Sequence, residues 1–182
     1  MTKTIIALLL LISVVQAESR GHMGPSGAFG IGSGSLKTKI GLDSDRDNTA
    51  VVLFARIGAG IYENVVLNFD TIGSIGTGEY GAIGKNDVNC DYAGVGVTYY
   101  LNNTEASPYI AFSIGSAEHT TDPKSNFDSS GKFGQSYRLA TGYEYNGWLG
   151  EISYLRGVSQ QAKSDLIMYS IGYNFIASRW WK

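Results

Sequence analysis

Strict alternation of apolar and small residues runs through residues 92–101, which read YAGVGVTYYL. The odd-numbered positions carry Ala, Val, Val, Tyr and Leu, and the even-numbered positions carry Tyr, Gly, Gly, Thr and Tyr. Because successive side chains of a β-strand point to opposite faces, this period of two predicts a strand with one apolar face and one smaller, more polar face.

The same alternation recurs on both sides of this stretch, whereas helical periodicity is almost absent. Eight segments show it, and the first of them, which is rich in Gly and Ser, has the least regular register. The predicted strands cover residues 27–40, 51–61, 65–70, 92–101, 110–115, 137–145, 148–154 and 167–175. A chain of short alternating segments with this spacing predicts an all-β fold.

Short connections alternate with longer, more polar ones along the chain. The short ones are residues 62–64, 102–107 and Asn146-Gly147, the last typical of a two-residue hairpin turn because both positions tolerate positive φ. The polar ones are residues 41–48, 76–89, 120–133 and the brief 160–164. An up-and-down antiparallel order collects the short turns at one end, so we expect an eight-stranded barrel with strands of about 11 residues.

Two barrel architectures share this pattern and place the apolar face differently. A soluble lipocalin-like barrel turns that face inward, whereas a transmembrane β-barrel turns it toward lipid. Charged residues make up only 16% of the chain, and the polar face carries mainly Gly, Ala, Ser and Thr in place of Lys and Glu. Small residues suit the crowded interior of a narrow barrel, so we predict the transmembrane orientation.

Charged residues are rare on the predicted inward face, and we expect them to pair. If Ile61 pairs with Val65, Arg56 falls opposite Asp70, because both pairs lie on one antiparallel ladder. We predict that the inward charges form a polar network that plugs the lumen and leaves no wide continuous pore; they are Arg56, Asp70, Arg138, Glu144 and Glu151. The alternative is that the same charges are unconnected and bridged by water.

Aromatic residues are concentrated where the predicted strands adjoin the short turns. They are Tyr62, Tyr99, Tyr100, Tyr109, Tyr145, Trp148 and Phe175, with Trp180 and Trp181 just beyond. Aromatic side chains are enriched at membrane–water interfaces, which favours a girdle at this end of the barrel. The alternative interpretation is that Tyr and Phe are simply common in strands.

The N-terminal residues are typical of a signal peptide. Lys3 precedes an apolar run from Ile5 to Val15, and residues 15–17 provide a small-residue cleavage site. We therefore predict a signal peptide over 1–17 and a barrel domain over 18–182. The formal net charge of -2 gives no indication of nucleic-acid binding, and the single cysteine, Cys90, excludes an intrachain disulfide.

Four short phrases resemble strands of a known family, the small eight-stranded outer-membrane barrels of the OmpA-like, OmpX-like and opacity type. GVGVTYYL (94–101), PYIAF (108–112), GYEY (142–145) and IGYNF (171–175) resemble its fourth, fifth, sixth and last strands. The resemblance implies a Gram-negative outer-membrane location and short turns on the periplasmic side. Phe175 or Trp181 would then provide the C-terminal signal read by the barrel assembly machinery.

The resemblance also implies a structural or surface-interaction, adhesin-like role. The implied partners are outer-membrane lipid and lipopolysaccharide, with the barrel assembly machinery during biogenesis; the external ligand is unidentified. We expect a monomer, because the lipid-facing surface needs no protein partner. A small channel of low conductance is the alternative function.

A lipid A-modifying barrel enzyme is the second alternative, but the catalytic residues it needs are not indicated. His22 precedes the first strand, and His119 lacks the spacing to a serine expected of deacylase barrels. Asp43, Asp45 and Asp47 offer oxygen atoms in one polar connection without the complete ligand pattern of a calcium loop. We therefore predict no catalytic residue, no cofactor and no metal site.

Overall fold

The computed structural model of the chain describes residues 22–40, 46–80, 84–104, 106–121, 132–158 and 162–176. They form eight strands: β1 (Gly24–Ile40), β2 (Arg46–Tyr62), β3 (Val65–Tyr80), β4 (Gly84–Tyr100), β5 (Ala106–Thr121), β6 (Lys132–Tyr145), β7 (Trp148–Val158) and β8 (Ala162–Ile176). Each strand pairs antiparallel with the next, and β1 pairs with β8, so the sheet closes. The predicted fold, an eight-stranded antiparallel up-and-down barrel, is confirmed.

Two of the predictions concern residues outside the described ranges. The predicted signal peptide and the C-terminal residues 177–182 both lie beyond the described ranges. Across those ranges, no helix combines the length and the hydropathy that crossing a bilayer requires.

The strand pairing is staggered around the barrel. A path of directly opposite residues that leaves β1 at Ala28 returns to it at Thr38, ten residues further along. It passes through Arg56, Asp70, Gly94, Gly115, Ser136, Gly157 and Ser164. A stagger of this kind tilts the strands against the barrel axis, and eight strands enclose a space just wide enough for side chains.

The alternation read from the sequence separates an outer and an inner face as predicted. Ile57 and Ile171 are each 65% exposed on the outside, whereas Val52 and Leu166 of the same two strands are fully buried inside. Apolar residues are exposed at outward positions of all eight strands, and Arg56 and Asp70 are buried. The predicted orientation, with apolar rows outside and the smaller, more polar face inside, is therefore confirmed.

The strands continue further than predicted at the end opposite the short turns, which we call the loop end. β3 and β4 remain paired as far as Tyr80 and Gly84, where the sequence predicted a loop over residues 76–89. β2 begins at Arg46 in place of residue 51. The prediction of strands of about 11 residues was wrong for most of them because backbone hydrogen bonds extend a ladder through polar sequence without apolar alternation.

At the opposite end, the short-turn end, one hairpin agrees with its prediction and one differs. Asn146 and Gly147 both adopt positive φ, 49° and 88°, which confirms the two-residue turn. In the β2–β3 hairpin Val65 pairs with Tyr62 and not with Ile61, because the register shifts between Gly60 and Tyr62. This β-bulge absorbs one extra residue close to the turn, so Arg56 still lies directly opposite Asp70.

Candidate functional site

Four charged side chains from four strands meet inside the barrel. We call Arg56 of β2, Asp70 of β3, Arg138 of β6 and Glu151 of β7 the charge network. Arg56 Nε donates to Asp70 Oδ1 at 2.8 Å, and Arg56 Nη2 donates to Glu151 Oε2 at 3.0 Å. Arg138 Nη1 donates to Asp70 Oδ2 at 2.9 Å, and Arg138 Nη2 donates to Glu151 Oε1. Each guanidinium therefore bridges both carboxylates in a closed ring.

The charge network is almost completely withdrawn from solvent. Arg138 is 1% exposed, and Arg56, the most accessible member, is 8% exposed. Two further groups donate to its carboxylates: Asn68 Nδ2 to Asp70 Oδ1 at 2.7 Å, and the Tyr109 hydroxyl to Glu151 Oε2 at 3.1 Å. Buried charges are stable only when they are paired and hydrogen-bonded, and this ring, with two charges of each sign, meets that condition.

The fifth predicted residue, Glu144, has different hydrogen-bond donors. Its Oε2 accepts from the Tyr100 hydroxyl at 2.8 Å and from Asn174 Nδ2 at 2.8 Å. The imidazole of His22 stacks on the Tyr100 ring, with 3.4 Å between ring centroids. This group lies at the short-turn end of the lumen, and the ring of Tyr100 lies 5.5 Å from that of Tyr109, which contacts the charge network.

The interior toward the loop end is filled differently. We define the apolar cluster as the fully buried inward side chains of Leu36, Val52, Cys90, Leu155, Leu166 and Met168. The sequence reasoning missed this cluster because it treated the inward face as small and polar throughout. A signal was available, since Leu155 and Leu166 continue the inward parity of β7 and β8 beyond the predicted strand ends.

The predicted aromatic girdle requires a correction. Tyr62, Tyr145 and Trp148 are exposed on the outer surface, as are Tyr99 and Phe175. Tyr100 and Tyr109, in contrast, are buried in the lumen, so their assignment to the girdle was wrong. Outward and inward positions alternate along each strand, and Tyr100 and Tyr109 both occupy inward positions. Trp180 and Trp181 lie outside the described residues.

Most of the candidate catalytic and metal-ligating side chains that the sequence offered lie outside the described residues. Within the described ranges, no group of three or more His, Cys, Asp or Glu residues could hold a metal ion. Of the candidate ligands in the acidic connection, Asp43 and Asp45 lie outside the described residues, and so does the side chain of Asp47. The side chain of His119 is outside them as well, while His22 stacks on Tyr100 in the lumen.

Comparison with known proteins finds similar folds among solved structures. No model of a protein family matches the sequence, and no curated protein matches it. Among solved structures, the attachment invasion locus protein Ail of Yersinia pestis has a TM-score of 0.61 at 15% identity, covering 86% of this chain and 100% of that one. A second structure of Ail, in complex with the heparin analogue sucrose octasulfate, has a TM-score of 0.59 at 14% identity, with coverage of 84% and 100%.

A protein from a second genus has the same architecture. Neisserial surface protein A gives a TM-score of 0.56 at 13% identity, covering 84% of this chain and 99% of that one. At identities this low the likeness is one of fold, and it extends over nearly the full length of each solved barrel. The chain therefore has the fold of the small eight-stranded outer-membrane barrels, the architecture that its strand phrases resemble.

Proposed function

We propose that this protein is an integral outer-membrane barrel with a closed lumen, and that it acts as a scaffold for a surface-interaction, adhesin-like site at its loop end. The observation that carries the proposal is the inversion of a soluble protein's pattern, with apolar side chains exposed around the outside and charges buried within. Leu53, Ile57 and Ile171 are at least 60% exposed, whereas the four members of the charge network are at most 8% exposed.

The exposed apolar rows support insertion into a bilayer. Monomeric soluble proteins rarely expose contiguous apolar patches larger than a few hundred Å², and here such residues occur on every strand. A closed barrel pairs all its strands, so the backbone groups in hydrocarbon have partners. Among membranes, the outer membrane of Gram-negative bacteria is where solved barrels of this fold occur.

The filled lumen supports a scaffold more than a channel. The charge network joins β2, β3, β6 and β7 across the interior, and the apolar cluster occupies the lumen toward the loop end. Ions would have to displace paired guanidinium and carboxylate groups and then pass the fully buried side chains of the apolar cluster. We therefore expect the barrel to be electrically silent.

The long strands at the loop end support an interaction surface. β1 to β4 each contain 16 or 17 residues, more than the 9 to 11 or so that a tilted strand needs to cross a bilayer. The excess extends the barrel wall beyond the apolar rows at the end that the family resemblance places outside the cell. The name of Ail, attachment invasion locus protein of Yersinia pestis, is consistent with such a role for a barrel of this fold.

The expected partners follow from this location. Outer-membrane lipid and lipopolysaccharide would surround the apolar rows, and the barrel assembly machinery would insert the chain. A monomer is expected, since lipid alone satisfies the outer surface. The external ligand is not specified by these contacts.

Membrane fractionation combined with heat-modifiable gel mobility tests the proposal. A folded barrel resists detergent until it is boiled, so unheated protein from the outer-membrane fraction should migrate differently from boiled protein. Protein found entirely in the soluble periplasm, with no heat-dependent shift, would contradict the membrane location.

Planar bilayer recording distinguishes the scaffold from a channel. Purified unmodified protein should give no current steps. Steady current from the unmodified protein, with ion selectivity changed by Arg56→Ala and unchanged by the outward control Leu139→Ala, would identify a channel instead.

A further inference from the structure

The residues just ahead of β1 lie in the mouth of the barrel at the short-turn end. Gly24, the first residue of β1, pairs with Gly60 and has a φ of 98°, a value that favours glycine because glycine has no Cβ. His22, two residues earlier, is only 1% exposed although it belongs to no strand. We call His22 and Met23 the strap, because they attach the chain to the mouth of the lumen before β1 begins.

Two contacts of His22 hold the strap in place. The backbone amide of His22 donates to the carbonyl of Glu63, in the turn between β2 and β3, at 3.0 Å. The imidazole stacks on the Tyr100 ring, with 14° between the ring planes. The first contact is to the backbone of a turn, and the second is to a ring inside the lumen. His22 therefore joins the rim of the barrel to its interior.

The barrel wall leaves room for the strap at Gly60. A Cβ at this position would overlap the carbonyl group of His22 and would lie 2.7 Å from the Met23 Cα, which is too close for a real Cβ contact. Glycine inside a strand often marks a place where another backbone approaches closely. The φ of Gly60 is not positive, so its conformation alone does not require glycine. The absent side chain at Gly60 is what lets the strap reach the lumen.

The strap covers polar groups that lead to the charge network. Tyr100, beneath the His22 ring, is 3% exposed, and its hydroxyl donates to Glu144, which is 1% exposed. The ring of Tyr109 lies beside that of Tyr100, and its hydroxyl donates to Glu151 of the charge network. Water that passed His22 would reach Glu144 and then the paired charges.

We propose that the strap is a lid that closes the short-turn end of the lumen to solvent, with the His22 ring as its anchor. The strap lies outside the strand ladders, so it can leave its position while all eight strands stay paired. The apolar cluster fills the lumen toward the loop end, so the two ends are closed by different means. The lid does not depend on the membrane location proposed above, because its contacts are all within the chain.

The test measures how fast a water-soluble maleimide reacts with a thiol placed beside the strap. Val66 points into the lumen, is 5% exposed, lies opposite Gly60 and belongs to the same buried apolar group as Tyr100. Val66→Cys is therefore a reporter of similar size at the short-turn end. The native Cys90, fully buried in the apolar cluster, is the internal reference. Folded protein in detergent micelles is labelled, and peptide mass spectrometry distinguishes the two sites.

Two substitutions should open the lid from opposite sides. His22→Gly removes the anchoring ring, and Gly60→Ala places a methyl group where the His22 carbonyl lies. Each should accelerate labelling at Val66→Cys by on the order of tenfold, because a buried ring stack stabilises the closed position by about that factor. Labelling of Cys90 should stay slow. The matched control is Gly150→Ala, at an outward glycine whose added Cβ meets nothing within 4 Å, and it should leave both sites slow.

Three results would overturn the inference. Slow labelling at Val66→Cys in either the His22→Gly or the Gly60→Ala background would mean that the lumen is closed without the strap. Labelling of Cys90 as fast as that of the reporter would mean that the whole barrel, and not one end, had opened. Loss of the heat-dependent gel shift in both backgrounds would show that the strap is needed for the folded barrel and is not a separable lid.

Discussion

The two halves of the lumen are filled by opposite means. Toward the short-turn end, the charge network and the hydrogen bonds around Glu144 connect strands that are far apart in sequence, as Arg56 and Glu151 are. Toward the loop end, the apolar cluster packs as the core of a soluble protein does. The stability of the first half depends on every charged group keeping its partner, whereas the stability of the second depends on how well side chains fill the space. This difference predicts how each half responds to substitution.

The physical reason lies in what a single truncation leaves behind. Removing one member of a buried ion pair leaves its partner charged and desolvated, and the barrel wall prevents that partner from reaching water. Removing part of an apolar side chain leaves a cavity, into which neighbouring side chains relax in part. Substitutions matched between the inside and the outside of the barrel separate these effects from general damage to the fold.

The largest effect is expected from Arg138→Met in the charge network. The substitution removes the guanidinium that contacts both Asp70 and Glu151 and leaves two buried carboxylates with Arg56 alone. We expect the free energy of unfolding to fall by about 3–5 kcal/mol, as measured by urea titration of the protein in lipid vesicles. The control Arg156→Met removes an outward, partly exposed guanidinium and should change stability little. Equal losses in the two variants would show that burial does not set the cost.

A smaller loss is expected from Leu155→Ala in the apolar cluster. Leu155 is fully buried, so truncation leaves a cavity and should lower the free energy of unfolding by about 3 kcal/mol. The matched control is Leu139→Ala on the outer face, where the side chain is 57% exposed and lipid can fill the space. A loss in Leu139→Ala as large as that in Leu155→Ala would contradict a packed interior at the loop end.

The smallest effect is expected at the boundary between the two halves, where Tyr92→Phe removes a hydroxyl. That hydroxyl donates to Ser113 Oγ at 2.8 Å, while its ring belongs to the same buried apolar group as Leu155. The expected loss is about 1 kcal/mol, the ordinary net value of a neutral hydrogen bond. Tyr143→Phe, on the exposed outer face, is the control and should be neutral. If Tyr92→Phe lowered the free energy of unfolding as much as Arg138→Met does, the part of the lumen that depends on paired charges would include Tyr92, which contradicts this boundary.

The fold was predictable because its signal is local. A period of two needs only neighbouring residues, and it assigned Arg56 and Asp70 to the inner face while assigning Ile57 and Phe69 to the outer one. Adjacent hairpins were predictable for the same reason, since a turn fixes the register of the two strands beside it. The bulge near Ile61 was not, because an extra residue at a turn leaves the alternation on either side unchanged.

The site was only partly predictable because its contacts cross the barrel. Pairing of Arg56 with Asp70 follows from one hairpin, but the contact of Arg56 with Glu151 spans 95 residues and depends on curvature and side-chain conformation. Two tyrosines were misplaced at the outer surface because composition near a turn was given more weight than parity. The apolar cluster was missed because the inward face was expected to carry small and polar residues, and because Leu155 and Leu166 lie just beyond the predicted ends of β7 and β8.

If the barrel lies in a membrane, as proposed, the seam between β1 and β8 determines when the chain can enter it. Fifteen residue pairs join the strand that begins at Gly24 to the one that ends at Ile176, so β8 completes the hydrogen bonding of β1. Before that, any sheet has two open edges whose backbone groups hydrocarbon cannot satisfy. Chains shortened by a single strand should therefore fail to insert and become substrates for periplasmic proteolysis.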